Sequence, residues 1–233
     1  MYTMGVDIGS ASSKAVILKD GKDVLAAEVV QVGTGSTGPK KAMEMAFEKS
    51  GVKEEEIDFI IATGYGRFSL EDADKQMSEI SCHAKGIYHL VPTARTIIDI
   101  GGQDCKVISV GPQGKVLDFQ MNDKCSAGTG RFFEVMSRVL DIDLTHLAEE
   151  ALKSKKPCSI SKQCSVFAES EVISLVNNSV PLPDIAAGIH ESIARRIHGM
   201  AFKVGVEEDV ALTGGCSSNK ALRKALEKRL HLP

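Results

Sequence analysis

The sequence predicts an α/β protein made of two related lobes, and three observations support that fold class. A unit beginning Asp-Ile-Gly occurs twice, at residues 7–14 and 99–106. Each copy follows an apolar run and leads through two further β-type runs that are separated by a glycine turn. Helical patterns alternate with the strands, which is typical of α/β proteins. We therefore expect an N-terminal lobe at residues 1–94 and a C-terminal lobe at residues 95–233.

The repeated unit predicts the same three strands in each lobe. The runs lie at 4–6, 15–18 and 24–30 in the first copy and at 96–98, 107–110 and 116–121 in the second. Gly21 and Gly114 supply the turn before the third strand of each copy, since glycine is a preferred turn residue. Two such units would each place an acidic residue and a tight backbone turn at one cleft.

The other elements follow from helical periodicity and turn residues. We expect a helix at 40–50, a buried strand at 59–63, a helix at 73–90 and a strand at 210–213. The strongest helix pattern runs from Asp184 to Val204, after Pro183. Its apolar residues recur every four positions, at Ile185, Ile189, Ile193, Ile197 and Ala201.

Composition excludes several classes of protein. The 233 residues are 43% hydrophobic and 25% charged, as in an ordinary globular protein with a sizeable core. A net charge of -3 argues against a general nucleic-acid binder. The chain has no run of 18 apolar residues and no signal-peptide layout, so we expect a cytoplasmic location. Six cysteines in that compartment are more typical of free thiols or metal ligands than of disulfides.

The residues after the first strand of each copy suit a phosphate chain and its metal ion. Small residues there let backbone N–H groups approach phosphate oxygens closely. Asp7 and Asp99 are expected to hold Mg²⁺ through its waters, because this ion keeps much of its hydration shell. Gln103 would orient an attacking water, and Asp104 is a further catalytic candidate. The expected nucleotide-binding residues are Ser10, Ala11, Ser12, Ser13, Lys14, Gly101, Gly102, Gly214 and Gly215.

Each of these motifs is weak on its own, since a lone Asp-X-Gly at a strand end is usually only a turn. Neither copy carries the Gly-Lys-Ser/Thr ending of a Walker A loop. The duplication, together with a third strand that is followed by Gly214 and Gly215, favours a nucleotide site.

Two cysteines, Cys125 and Cys164, are candidate metal ligands. Cys125 is expected just before a helix with the apolar stripe Phe132, Val135, Met136, Val139 and Leu140. A helix N-terminus favours the thiolate, the form that binds metal. The residues alone leave the matter open, because free buried cysteines are common and this pair lacks CxxC spacing. Two thiolates would complete a four-cysteine iron–sulfur site only if two chains met on a two-fold axis.

The sequence resembles a family of ATPases. Its Asp-Ile-Gly units and glycine pair resemble the phosphate and adenosine motifs of the actin, Hsp70 and sugar-kinase superfamily, which has a duplicated, ribonuclease H-like fold with ATP and Mg²⁺ between two lobes. Over nearly the whole chain, it is similar to the activator, or component A, of 2-hydroxyacyl-CoA dehydratases, in the family that also serves benzoyl-CoA reductases. The stretches that carry this resemblance are 7–14, 62–67, 73–76, 81–84, 98–104, 122–132, 166–174, 187–190 and 214–215.

The resemblance implies a function. It implies an oxygen-sensitive homodimer of anaerobic metabolism, in which Cys125 and Cys164 of each subunit hold one bridging [4Fe-4S] cluster. The protein would hydrolyse ATP to ADP and pass one low-potential electron to a 2-hydroxyacyl-CoA dehydratase or a related CoA-ester enzyme. Reduced ferredoxin or flavodoxin would supply that electron. The alternatives are a small-molecule kinase of the same superfamily and a cluster-free ATP-binding regulator.

Two further expectations concern the rest of the chain. Four cysteines and two histidines are expected to be structural, namely Cys82, Cys105, Cys158, Cys216, His83 and His190. Family members continue past the position of Pro233 with another strand and a helix. We therefore expect the C-terminal lobe to be truncated.

Overall fold

The computed structural model describes residues 1–33, 35, 37–122, 125–161 and 164–232. Contacts divide the chain into two units, residues 1–86 and 87–233, and each is described by itself. A helix at Glu79–Leu90 crosses this division. The predicted lobe boundary between residues 94 and 95 stays a prediction.

The first unit contains a five-stranded sheet. Its strands are β1 (Tyr2–Ile8), β2 (Ser13–Lys19), β3 (Asp23–Val30), β4 (Ile57–Thr63) and β5 (Lys75–Gln76), in the spatial order β3-β2-β1-β4-β5. The first three strands are antiparallel neighbours, whereas β4 lies parallel to β1 and β5 parallel to β4. Alternate residues of β1 and β2 are buried, because successive side chains of a strand point to opposite faces.

Helix α1 (Thr37–Ser50) covers one face of this sheet and contacts β2 and β3. It begins before the predicted residue 40, and Pro39 falls in its first turn, where a missing N–H costs no helical hydrogen bond. Its own residues Ala42 and Ala46 are fully buried, so the helix packs closely on the strands.

Two predictions for the first unit are partly wrong. The strand expected at 59–63 is present as β4, but only Ala62 in it is buried. The helix expected at 73–90 begins only at Glu79, as α2 (Glu79–Leu90). Two residues before it, Lys75 and Gln76, instead pair with β4 as a short strand, and the backbone N–H of Met77 donates to Ala62 O at 2.9 Å.

The second unit has a four-stranded sheet with the same arrangement. Its strands are β6 (Thr96–Ile100), β7 (Cys105–Val110), β8 (Val116–Asn122) and β9 (Val210–Thr213), in the order β8-β7-β6-β9. Again three antiparallel strands are followed by one that is parallel to the first. The six strands that the repeat predicts are thus confirmed. Every residue of β6 and β7 is buried, as in a sheet that is covered on both faces.

The second unit also contains helices. They are α3 (Gly130–Leu140), α4 (Leu144–Lys153), α5 (Ser165–Asn177), α6 (Leu182–Val204) and α7 (Lys220–Leu230). The predicted helix at 184–204 is confirmed as α6, and all five residues of its apolar stripe are buried. Among the described residues, none of the helices combines the length and apolar character needed to cross a bilayer.

Candidate nucleotide site and candidate metal ligands

The turn after β1 is closed by its own backbone. Gly9 N donates to Ser12 O at 3.1 Å. Asp7 and Lys14 lie opposite each other on β1 and β2, and Lys14 Nζ lies 2.9 Å from Asp7 Oδ2. The predicted phosphate-binding lysine is therefore paired with the predicted Mg²⁺-binding carboxylate.

The turn after β6 repeats this arrangement. Gly101 N donates to Asp104 O at 2.9 Å. Asp99 lies opposite Lys106, whose Nζ is 3.7 Å from Asp99 Oδ2 and 2.9 Å from Asp104 Oδ2. Asp104, expected to be a catalytic candidate, thus shares one lysine with Asp99.

In each sheet, the strand that runs parallel to the first ends in a Thr-Gly pair beside the aspartate. Thr63 lies opposite Asp7, and Thr213 lies opposite Asp99. The glycine that follows each threonine has a positive φ, 86° at Gly64 and 83° at Gly214, so a non-glycine residue would be strained there. A Cβ on Gly214 would also collide with Ile100 O, and one on Gly64 would collide with Asp7 Oδ1.

The first of these Thr-Gly pairs is missing from the sequence-based prediction, which includes only Gly214 and Gly215. A signal for it exists, because an apolar β-type run ends in Thr-Gly at both places. The two threonines differ in their partners. Thr213 Oγ1 donates to Asp99 Oδ1 at 3.1 Å, whereas Thr63 Oγ1 is buried without a hydrogen-bond partner in the part of the chain that the structure describes.

The other predicted nucleotide-binding residues differ in exposure. Ser13 is fully buried, and its hydroxyl donates to Val32 O at 2.9 Å, so that hydrogen is used within the protein. Gln103 is exposed, and its role as a water-orienting group stays a prediction. The remaining residues of this set are exposed or half-buried turn residues: Ser10, Ala11, Ser12, Gly101, Gly102, Gly214 and Gly215.

Cys125 lies before helix α3, separated from it by a short turn. Helix α3 begins at Gly130, and Thr129 is its N-cap residue. The intervening residues form a turn in which Thr129 N and Thr129 Oγ1 both donate to Ser126 O, at 3.1 and 2.6 Å. Cys125 therefore precedes the helix as expected, with the turn of residues 126–129 between them.

Cys164 is the N-cap residue of α5. The residues that follow the two cysteines meet, because Ser126 Oγ and Ser165 Oγ lie 2.6 Å apart. Cys164 is exposed and Cys125 is half-buried. The structure therefore brings together the two segments that carry the candidate ligands, although they are remote in sequence.

Three other cysteines lie in apolar surroundings. Burial raises the pKa of Cys105 and of Cys216 to about 11, and it also raises the pKa of Cys158. These thiols are thereby disfavoured as thiolates. In the described residues, no group of three or more His, Cys, Asp or Glu side chains is arranged to hold a metal ion.

His190 on α6 is a packed and hydrogen-bonded residue, which confirms the prediction. Its Nδ1 donates to Ala186 O at 2.8 Å, and its Nε2 accepts from Asn219 Nδ2 at 3.0 Å. The ring also lies against Phe133, with centroids 4.8 Å apart. Burial lowers the pKa of His190 to about 4, so the ring is neutral near pH 7.

Two features define a protein of the duplicated actin, Hsp70 and sugar-kinase fold. They are the repeated sheet order and the repeated Asp-Ile-Gly turns after β1 and β6, called the Asp-Gly turns below. Solved sugar kinases are similar in fold alone, at 15% identity or less and a TM-score of 0.57. More specifically, the chain belongs to the BadF/BadG/BcrA/BcrD ATPase family, whose model matches residues 4–232.

Close relatives have been named for their roles. The chain is 60% identical over 226 residues to an activator of lactoyl-CoA dehydratase from Anaerotignum propionicum, covering 97% of this chain and 87% of the relative. It is similar to the crystal structure of component A of (R)-2-hydroxyglutaryl-CoA dehydratase from Acidaminococcus fermentans, with TM-score 0.94, 51% identity, and coverage of 100% and 90%. The 2-hydroxyisocaproyl-CoA dehydratase activator of Clostridium difficile, solved with bound ADPNP, gives TM-score 0.92, 46% identity, and coverage of 100% and 87%.

Proposed function

We propose that this protein is an ATP-hydrolysing iron–sulfur activator that transfers one low-potential electron to a 2-hydroxyacyl-CoA dehydratase or a related CoA-ester enzyme. The observation that carries the proposal is the 2.6 Å contact between Ser126 Oγ and Ser165 Oγ, which joins the segments of Cys125 and Cys164. The relatives support it, since three of them are named as dehydratase activators.

The two Asp-Gly turns would bind ATP or ADP with Mg²⁺. Their backbone N–H groups and small residues would accommodate phosphate oxygens. Asp7 and Asp99 would accept hydrogen bonds from waters on Mg²⁺, while Gln103 would orient the water that attacks the terminal phosphate. The ADPNP bound by the Clostridium difficile relative supports nucleotide binding by this chain. In such sites the protein contributes mainly positioning and charge stabilisation.

The cysteine pair fits a [4Fe-4S] cluster that is shared between two chains. One chain offers an exposed and a half-buried cysteine on adjoining segments, and a two-fold axis would supply four thiols. Val166 and Phe167, which follow Cys164, are 66% and 63% exposed, an apolar surface that a second subunit would cover. When bound, the cluster would supply a one-electron carrier.

This activity implies a location, an oligomeric state and partners for the protein. The protein would be a cytoplasmic, oxygen-sensitive homodimer of anaerobic metabolism. It would receive its electron from reduced ferredoxin or flavodoxin and would dock on the dehydratase. The relatives' names imply the dehydratase partner.

Anaerobic purification tests the proposal. The protein should be a brown dimer with about four irons per two chains, the content of one [4Fe-4S] cluster. Cys125→Ser and Cys164→Ser should each abolish the iron content and leave the circular dichroism and ADPNP binding unchanged. Cys82→Ser, in the first unit, is the matched control and should retain iron. A colourless, iron-free wild type that hydrolyses ATP would contradict the electron-transfer role and favour a cluster-free regulator.

A further inference from the structure

Asn122, the last residue of β8, lies between the second Asp-Gly turn and residues 125–129, called the Cys125 segment below. In the sheet it pairs with Cys105, the residue that follows Asp104. Its Nδ2 lies 3.9 Å from the Cys105 sulfur. A single side chain thus reaches from the end of the turn toward the candidate metal ligand.

The Asn122 amide is engaged at both ends. Its Nδ2 donates to Cys125 O at 2.8 Å and to Ala127 O at 2.9 Å. Its Oδ1 accepts from Arg196 Nη2 at 3.2 Å. Because arginine can only donate, Arg196 fixes the amide orientation and directs both Nδ2 hydrogens to the Cys125 segment.

Arg196 also packs against the Cys125 segment at Gly128. Gly128 has a φ of +91°, and a Cβ built on it would lie 2.9 Å from Arg196 Cδ. The segment therefore packs against the arginine stem at a position where a side chain would neither fit nor adopt the backbone conformation without strain.

A second connection runs through the start of α3. Gly130 N donates to Gly101 O at 2.9 Å, and Arg131 N donates to Gly102 O at 3.0 Å. The first N–H groups of a helix have no partner within the helix, and here the phosphate turn supplies two. Any displacement of Gly101 and Gly102 therefore acts directly on the end of the Cys125 segment.

We propose that Asn122, oriented by Arg196, is the positioning residue that makes the Cys125 segment respond to nucleotide at the second Asp-Gly turn. This inference rests on the proposed function. The α3 contacts pass on the movement of the turn, and Asn122 holds the other end of the segment so that Cys125 moves with it. Among the hydrogen bonds of the described residues, Cys164 is linked to this segment through its neighbour Ser165, and it should respond less.

Thiol alkylation tests the link without any bound cluster. The full chain, with iron removed by chelation, is treated with iodoacetamide with and without Mg²⁺-ADPNP, and mass spectrometry gives the rate at Cys125 relative to Cys164. In the wild type, ADPNP should change this ratio at least about fivefold, the low end of typical coupling between sites. Asn122→Asp keeps the size and the Arg196 contact but removes both donated hydrogen bonds. It should bring the ratio change below about twofold.

The controls separate coupling from damage and from the proposed function. Asn178→Asp, which makes the same change at an exposed helix end, should respond like the wild type. Arg196→Met, which frees the amide to turn, should lower the response even if Asn122→Asp misfolds. An unchanged ADPNP affinity in the variants would show that the turn itself is intact. A wild type without a ratio change, or an Asn122→Asp protein with the full change, would overturn the inference. Iron content would meanwhile test the activator role separately.

Discussion

The two Asp-Gly units share their register but differ in their exposure to solvent. In each, an aspartate lies opposite a lysine on one neighbouring strand and a threonine on the other: Asp7, Lys14 and Thr63 in the first unit, and Asp99, Lys106 and Thr213 in the second. The first aspartate and lysine side chains are 35% and 40% exposed. Their counterparts are 9% and 5% exposed.

The surrounding sheets explain this difference. In β1 and β2 only alternate residues are buried, whereas β6 and β7 are buried throughout and α6 contacts β7 and β8. The same local sequence pattern therefore gives a solvent-screened ion pair in one unit and a desolvated one in the other. The second carboxylate is held by Lys106 and Thr213, while the first remains more accessible to a ligand.

The lysines should show the largest difference between the units. Lys106→Met removes the positive charge beside two carboxylates in a buried site, and it should lower the free energy of unfolding by about 3–5 kcal/mol. Lys14→Met breaks a more exposed pair and should cost less than about 1 kcal/mol. Urea unfolding followed by circular dichroism measures both without added salt. Equal losses would show that burial does not distinguish the two pairs.

Acid should destabilise the second unit through His190. Its pKa is about 4 when folded and 6.5 in the reference state, so between these values the unfolded chain binds more protons. Stability is therefore lost as the pH falls from 6.5 toward 4, by about 2 kcal/mol at pH 5. Urea unfolding at pH 7.5 and 5.0 measures this loss.

The matched variants isolate the buried ring. His190→Gln should be less stable at pH 7.5 but should show a pH dependence smaller by about 2 kcal/mol than the wild type. His89→Gln, at an exposed position of α2, should leave the pH dependence unchanged. If His190→Gln keeps the wild-type pH dependence, other groups account for the acid sensitivity.

Sequence patterns predicted the strands and helices that are determined by the spacing of nearby residues along the chain. The repeated strands and the buried stripe of α6 follow from apolar spacing alone, because burial on one face requires that spacing. The short strand Lys75–Gln76 could not be predicted in this way, since its pairing with β4 is set by a remote strand.

The site was predicted less completely, for the same physical reason. The hydrogen bonds of the turn from Ser126 to Thr129 are not marked by any periodicity in the sequence. Contact between Ser126 and Ser165 depends on how α3 and α5 pack, so only the family resemblance linked the two cysteines. Thr63 was missed although its Thr-Gly pattern was readable, because its role appears only in the register with Asp7.

Substituting the two threonines should have the smallest effect on stability, but it is the most specific test of the difference between the two Asp-Gly units. Thr213→Val should lower the free energy of unfolding by about 1.5 kcal/mol, because it removes a hydrogen bond to the Asp99 carboxylate. Thr63→Val removes a buried hydroxyl that has no partner among the described residues, so stability should be unchanged or slightly higher. Urea unfolding of the two isosteric variants, side by side, measures the difference. A loss at Thr63 equal to that at Thr213 would mean that the first unit holds its aspartate as the second does, and the two sites would then differ in exposure alone.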